Sequence, residues 1–168
     1  MDAKDYLSKQ IKSMWYLQDS VLKGLKDEDL TQELPGTLSS IGVIWLHMAN
    51  GEDNFVSTIT GDAPLWKSHG WNEKFGLESA PNIGEDWTKY YSEVLTIHQL
   101  QTCTDEVRKQ TQACLENTDA ESLDETVKFF SDSDPKANVW VLLVGHTLIH
   151  SGEIAAIKGI LEGRGLPF

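Results

Sequence analysis

From Asp2 to about Leu25, apolar side chains recur every three or four residues at Leu7, Ile11, Met14, Leu17, Val21 and Leu25, with polar residues between them. That period predicts an amphipathic first helix. Lys26-Asp27-Glu28-Asp29 breaks the period, and Leu34-Pro35-Gly36 turns the chain. Ser39 or Ser40 is placed to cap a second helix, in which Ile41, Ile44, Trp45, Met48, Phe55 and Ile59 share a face up to Gly61. No period survives from Gly61 to Gly84, a stretch broken by Pro64 and Pro81. Yet Trp66, Trp71 and Phe75 lie inside it, too many large apolar groups for a solvated loop. The connector is expected to fold over one end of the molecule.

Glu85 to Asn117 carries neither Gly nor Pro, and Trp87, Tyr90, Tyr91, Val94, Ile97, Val107 and Leu115 mark a third helical stripe. Thr126 to Phe130 reads as a short extended piece. Asp134-Pro135 then offers a cap with proline at the first helical position. A fourth helix follows to about Glu162, with Val139, Leu142, Leu143, Ile149, Ile154, Ile157 and Ile160 as its apolar positions. Gly163, Gly165 and Pro167 end it. Four long helices with polar connectors predict an all-α four-helix bundle, one domain over residues 1–168. The connector between helices two and three is long enough to cross the bundle, which permits an up-down-down-up order.

Composition narrows the function classes. At 168 residues, 40% hydrophobic and with six Trp, the chain is expected to bury roughly 70% of its unfolded surface. Fourteen Lys+Arg against 26 Asp+Glu leave a net charge of -12, which repels phosphate backbones and anionic lipid, so no nucleic acid and no membrane is expected as a partner. The longest uninterrupted apolar run, Val139 to Val144, is far below the ~20 residues of a bilayer span. Met1-Asp2-Ala3-Lys4-Asp5 has no apolar signal core, and the expectation is a cytoplasmic protein. The two cysteines, Cys103 and Cys114, are too few for a disulfide framework or a multi-thiolate zinc site, and at eleven residues apart they cannot grip one ion. A glycine-rich phosphate loop, a nucleophile elbow and a His-Glu-x-x-His motif are all missing, and no Glu stands three residues before a His, as a di-iron centre requires.

What remains is His146-x-x-x-His150. Four residues advance a helix by ~400°, so both imidazoles leave one face about a turn apart, a spacing that suits one metal. Around them the segment from Val139 to Ile157 is uncharged except for Glu153. His47 in helix two is the third candidate, beside Met48 at the edge of the apolar stripe. It lies about 12 Å into its helix, and the pair lies roughly 15–20 Å into theirs, so the three can meet at mid-bundle. Taken singly, His47 reads better as a core histidine hydrogen-bonded to a carbonyl than as a ligand; the pair on helix four is what favours the metal.

These residues sit in a wider pattern. Leu34-Pro35-Gly36-Thr37-Leu38-Ser39-Ser40-Ile41-Gly42 leads into Trp45-Leu46-His47. His146-Thr147-Leu148-Ile149-His150-Ser151-Gly152-Glu153-Ile154 follows, and then the terminal Gly165-Leu166-Pro167. In order and spacing the chain resembles the DinB-like family of metal-dependent four-helix bundles. The resemblance implies an up-down-down-up bundle, His47, His146 and His150 as metal ligands, and a homodimer. Family members often carry Gln where this chain has Glu153. Seven residues from His146 is ~700°, so Glu153 shares the stripe of the histidines. Its expected roles are a catalytic base, a fourth ligand or an acceptor from an imidazole N–H, against a surface carboxylate leaning toward Lys158. Glu52 is a weaker candidate for the accepting role; His98 is expected in solvent or at the core edge, and His69 lies in a loop that can reach the open end of the bundle, although a loop histidine is more often simply exposed.

The function expected from the resemblance is that of an enzyme whose three-histidine site activates a water or a low-molecular-weight thiol, as a hydrolase or a thiol transferase acting on a small molecule. The alternative is a non-catalytic, metal- or ligand-binding dimeric helical module. Imidazole suits several divalent transition metals, with zinc or nickel expected ahead of iron. Trp66, Trp71 and Phe75 are expected either as the apolar wall of a substrate pocket or as a structural staple or dimer contact.

Overall fold

In the first long helix, α1 (Ala3–Leu22), the Asp2 carboxylate accepts the Asp5 amide at 2.8 Å, satisfying one of the free donors of the first turn. The structure, a computed structural model, describes residues 1–32, 39–90, 95–130 and 132–163. The Leu34-to-Leu38 part of the glycine-proline motif, Tyr91, Val94 and the terminal Gly165-Leu166-Pro167 lie outside these residues. A single turn, α2 (Asp27–Leu30), follows the charged break and buries Leu30. α3 (Ile41–Thr60) starts after Ser40 and stops at Gly61, whose φ of 82° is the left-handed conformation that glycine adopts without strain.

The connector is ordered into two short helices, α4 (Leu65–Ser68) and α5 (Trp71–Phe75). Trp66, Trp71 and Phe75 are buried in one apolar cluster with Trp45, Leu46 and Leu100, so the connector is packed onto the bundle as its aromatic content demands. The third long helix departs from expectation. A 3-10 turn spans Trp87–Tyr90, and α6 (Ile97–Glu116) begins only after Thr96, whose hydroxyl accepts the Gln99 amide at 3.2 Å. Trp87 and Tyr90 therefore do not belong to the helical stripe of Val107 and Leu115. Their apolar spacing imitates a helix, but the cap at Thr96 sets the start.

After α7 (Ala120–Leu123), β1 (Thr126–Phe129) and β2 (Asp132–Pro135) form an antiparallel ladder in register from Thr126 opposite Pro135 to Phe129 opposite Asp132. α8 (Lys136–Glu162) completes the chain and starts one residue later than Pro135 would set it. It is apolar on all sides, and the face it buries holds Val139, Trp140, Leu143, Ile154 and Ile157. Leu142, Ile149 and Ile160, which the sequence groups with that stripe, are 45%, 67% and 62% exposed. By length and composition α8 could also cross a bilayer; here it packs against α1 and α3.

Residue pairs give the helix directions. Trp45 Nε1 donates to Thr104 Oγ1 at 2.9 Å and Thr111 Oγ1 donates to Glu52 Oε1 at 2.7 Å, so α3 and α6 run parallel. His47 meets His150 while Phe55 meets His146, so α3 and α8 run antiparallel. Tyr6 and Leu7 line a groove with Trp140 and Val141, and Lys158 Nζ donates to the Val21 carbonyl at 3.0 Å, so α1 and α8 run parallel. Among the described residues the bundle is all-α apart from the hairpin, and it is up-down-down-up.

Candidate metal centre

His47 is nearly two turns into α3, and its Nδ1 lies 2.7 Å from the Pro81 carbonyl. A carbonyl only accepts, so Nδ1 carries the proton and Nε2 presents a bare lone pair. His150 is fixed in the same way: its Nδ1 is hydrogen-bonded to Glu153 Oε2, which leaves its Nε2 free. Glu153 thus sits on the back of the His150 ring, with its side chain 45% exposed. Lys158 is turned away from it, donating to the carbonyls of Val21 and Lys23.

His146 is left without a protein solution. Its Nε2 is 2.9 Å from His47 Nε2, while its buried Nδ1 has no hydrogen-bond partner. With a proton on Nε2 the ring bonds His47 and orphans a buried acceptor. With the proton on Nδ1 it orphans a donor and sets two lone pairs against each other. A cation on the converging face removes the lone-pair conflict. Ligand atoms of His47, His146 and His150 all lie within 4.8 Å of one another, so modest ring movements bring them to the ~3.3 Å that separates two nitrogens on a tetrahedral zinc. The donor set therefore fits a divalent metal, and neutral imidazole is the form it needs.

Burial keeps the rings neutral. It lowers the pKa of His47, against the Pro81 bond, and lowers that of His146 to about 3, with the two neighbouring histidines adding to the effect. The consequence for stability has a definite sign. Between pH 6.5 and about 3 the unfolded chain takes up a proton that folded His146 refuses, so the metal-free protein loses stability as pH falls through that window. The slope is at most about 1.4 kcal/mol per pH unit for each such histidine, and less for a ring with partial solvent contact. Urea titrations of metal-free protein at pH 7 and pH 5 should show the loss, and His146→Ala should flatten it.

Gly51, one turn beyond His47, makes room for the third ring. A Cβ there would stand 2.5 Å from His146 Cε1 and 3.0 Å from its Nδ1. Gly51→Ala is expected to displace the His146 ring and weaken metal binding. The metal-free fold should be little affected, since alanine favours a helix interior by up to about 1 kcal/mol. Calorimetric metal titration beside urea unfolding separates the two effects. Trp87 covers the site from the connector side, its ring 4.5 Å from that of His47 and 6.4 Å from that of His150. Its Nε1 donates to the Asn82 carbonyl at 2.8 Å.

A cavity of about 240 Å³ opens beside His47 and His146, between α3 and the β1–β2 hairpin. Asn50, Asn54, Phe55, Lys128, Phe129 and Phe130 contribute to its lining. Trp66, Trp71 and Phe75 are not among its walls; they are 7%, 3% and 7% exposed and stack on one another, with the Trp66 and Phe75 rings 5.9 Å apart. Large aromatic groups in a connector are drawn to the nearest apolar surface, and here that is the core. Glu52 also stands apart from the triad, 3% exposed and accepting from Trp15 Nε1 and Thr111. Burial pushes its carboxyl above the ordinary range, opposed chiefly by the Thr111 bond. His69 is exposed beside Glu106, and His98 is exposed on α6.

The sequence reading does not anticipate Gly51, Trp87, Pro81 or Lys128. Gly51 leaves a signal, because a glycine in a helix interior one turn from a histidine marks a close approach. A backbone carbonyl such as that of Pro81 leaves none.

Comparison with known proteins bears on the fold and the family. A conserved protein from Enterococcus faecalis, known from its crystal structure, superposes with a TM-score of 0.78 at 20% identity, covering 98% of this chain and 99% of that one. A protein from Streptococcus pneumoniae, also a crystal structure, gives a TM-score of 0.63 at 13% identity, covering 96% and 93%. Both share the fold. No curated protein matches. The sequence model of the DinB superfamily matches residues 10–154, which include all three histidines and Glu153, and the chain belongs to that superfamily.

Proposed function

We propose that this protein is a metal-dependent enzyme acting on a small molecule, with His47, His146 and His150 as ligands of zinc, nickel or iron. The observation that carries the proposal is the pair of fixed tautomers: Pro81 and Glu153 take the Nδ1 protons of His47 and His150, so their Nε2 atoms converge as lone pairs on unsatisfied His146. A divalent metal there, when bound, acidifies a water or a low-molecular-weight thiol and makes a nucleophile available near neutral pH. The chain does the rest. Glu153 orients His150 and raises its basicity, and it is the group that can pass a proton toward solvent. Trp87 and Phe55 screen the imidazoles from bulk water on two sides. The cavity beside His146 receives the substrate, which supports a hydrolase or a thiol transferase over a closed structural site.

Cobalt(II) titration tests it. One equivalent per chain should enter with a visible spectrum, and 2-mercaptoethanol should then produce a sulfur-to-cobalt absorption band. Cobalt bound without any change on adding thiol would mean a closed site and a non-catalytic module.

The same reading places the protein in the cytoplasm, where its free cysteines, Cys103 and Cys114, stay reduced. It also places a second copy against α8, whose outward face exposes Val141, Leu142, Leu148, Ile149 and Ile160, with no charged residue between Lys136 and Glu153. Light scattering should report a dimer, and Ile149→Glu should dissociate it.

A further inference from the structure

The chain carries 26 acidic residues against 14 basic ones, yet the cavity beside His47 and His146 has no carboxylate in its lining. Its one charged lining residue is Lys128, which projects from the exposed side of β1 and has no ion-pair partner among the described residues. Asp132 and Asp134 flank Ser133, the cross-strand partner of Lys128, but neither lines the cavity, so inside it the lysine ammonium favours an anion over a cation. Asn50, Asn54 and Thr58 line the same cavity from successive turns of α3 and offer further polar contacts.

The opposite wall is aromatic and is held there against backbone preference. Phe130 has a φ of 50°, the one non-glycine residue with positive φ among the described residues, and a bulky side chain rarely adopts it. Phe130 is 71% exposed and its ring lies 4.4 Å from the Phe129 ring, while the Phe129 ring lies 5.9 Å from that of Phe55. A turn that only joined β1 to β2 would be better served by glycine here. An exposed phenyl group in a strained turn, at the edge of a cavity, is placed for contact with something apolar.

We propose that this cavity binds a small organic acid, its anionic group paired with Lys128 and its apolar body against Phe55, Phe129 and Phe130, with its other end toward the imidazoles. A volume of about 240 Å³ limits the acid to a molecule below drug size, for which sites of ~300–1,000 Å³ are usual. For what happens at the reacting end the proposal rests on the metal reading above; the pairing with Lys128 does not.

The test uses the metal-free protein, with benzoate and neutral benzamide as probes of the same shape, and reads binding by chemical-shift titration. Wild type should prefer benzoate by about tenfold, as a charge-assisted contact at a partly solvated lysine provides. Lys128→Ala should bring the ratio close to one, and Lys128→Arg should keep it. Phe130→Gly should weaken both probes alike and raise the melting temperature by relieving the turn. A ratio near one in wild type, or one that survives Lys128→Ala, overturns the acid. Binding untouched by Phe130→Gly overturns the aromatic wall. A protein that selects benzoate through Lys128 but takes up no cobalt loses the metal reading and keeps this one. Uptake of cobalt with no selection by Lys128 does the reverse.

Discussion

Alanine in place of His47, His146 or His150 is expected to abolish stoichiometric metal binding, leaving well under one ion per chain after dialysis where the wild type keeps about one. Each imidazole supplies a ligand atom to a cluster only 4.8 Å across, and no other described His, Cys, Asp or Glu joins it. The loss should exceed the ~10–100-fold that follows removal of an outer partner such as Glu153 by Glu153→Ala. Glu153→Gln keeps an oxygen that accepts the His150 Nδ1 proton, so its affinity should fall less than that of Glu153→Ala. The metal also stabilises the fold by mass action. At a free concentration about a hundred times Kd the gain is ~2.7 kcal/mol. For a chain of this length that corresponds to a rise of about 5–10 °C in Tm. Elemental analysis and thermal scans of the three variants check both statements. Full stoichiometry in all three would place the metal elsewhere, and a chelator that leaves Tm unchanged would make the site energetically minor.

How much of this site is legible in the sequence depends on what kind of group each part is. His146 and His150 can be paired on paper because a helix turns by a constant angle, and α8 is an unbroken helix across both. His47 is legible because α3 keeps its apolar period from Ile41 to Ile59. The face that α8 buries is not legible. When Val141, Leu142, Ile149 and Ile160 are as apolar as Val139 and Leu143, periodicity carries no direction, and only packing against α1 and α3 selects the side. Trp87 fails differently. It shares helical spacing with its neighbours, but its contacts with His47 and the Asn82 carbonyl hold it in a 3-10 turn outside the helix. The hairpin's contribution is hidden because Lys128 and Phe130 acquire meaning only once β1 and β2 lie beside α3.

The largest effect on stability is expected at Asp53, six residues after His47. It is 2% exposed, and its two carboxylate oxygens accept the Leu65 and Trp66 amides, each at 2.9 Å. These amides are free donors of the first turn of α4, so one side chain of α3 holds the start of the connector. That connector carries Trp66, Trp71 and Phe75 into the core and then delivers Pro81, whose carbonyl sets the His47 tautomer. Asp53→Ala leaves two buried amides without acceptors, at about 1–3 kcal/mol each. The carboxylate itself is costly to bury, and burial pushes its pKa up against the pull of the same two amides. Losing that charge offsets part of the damage, so a net destabilisation of about 2–4 kcal/mol is expected, or roughly 5–15 °C in Tm. Asp53→Asn retains one acceptor but turns an N–H toward the second amide, and should recover only a part. Metal affinity should fall in Asp53→Ala as well, although Asp53 touches no ligand, because the Pro81 carbonyl is no longer held against His47. Urea unfolding, metal titration and hydrogen exchange at the Leu65 amide measure the three consequences. A variant within about 0.5 kcal/mol of wild type, with metal affinity intact, would show that the buried aromatic groups alone anchor the connector.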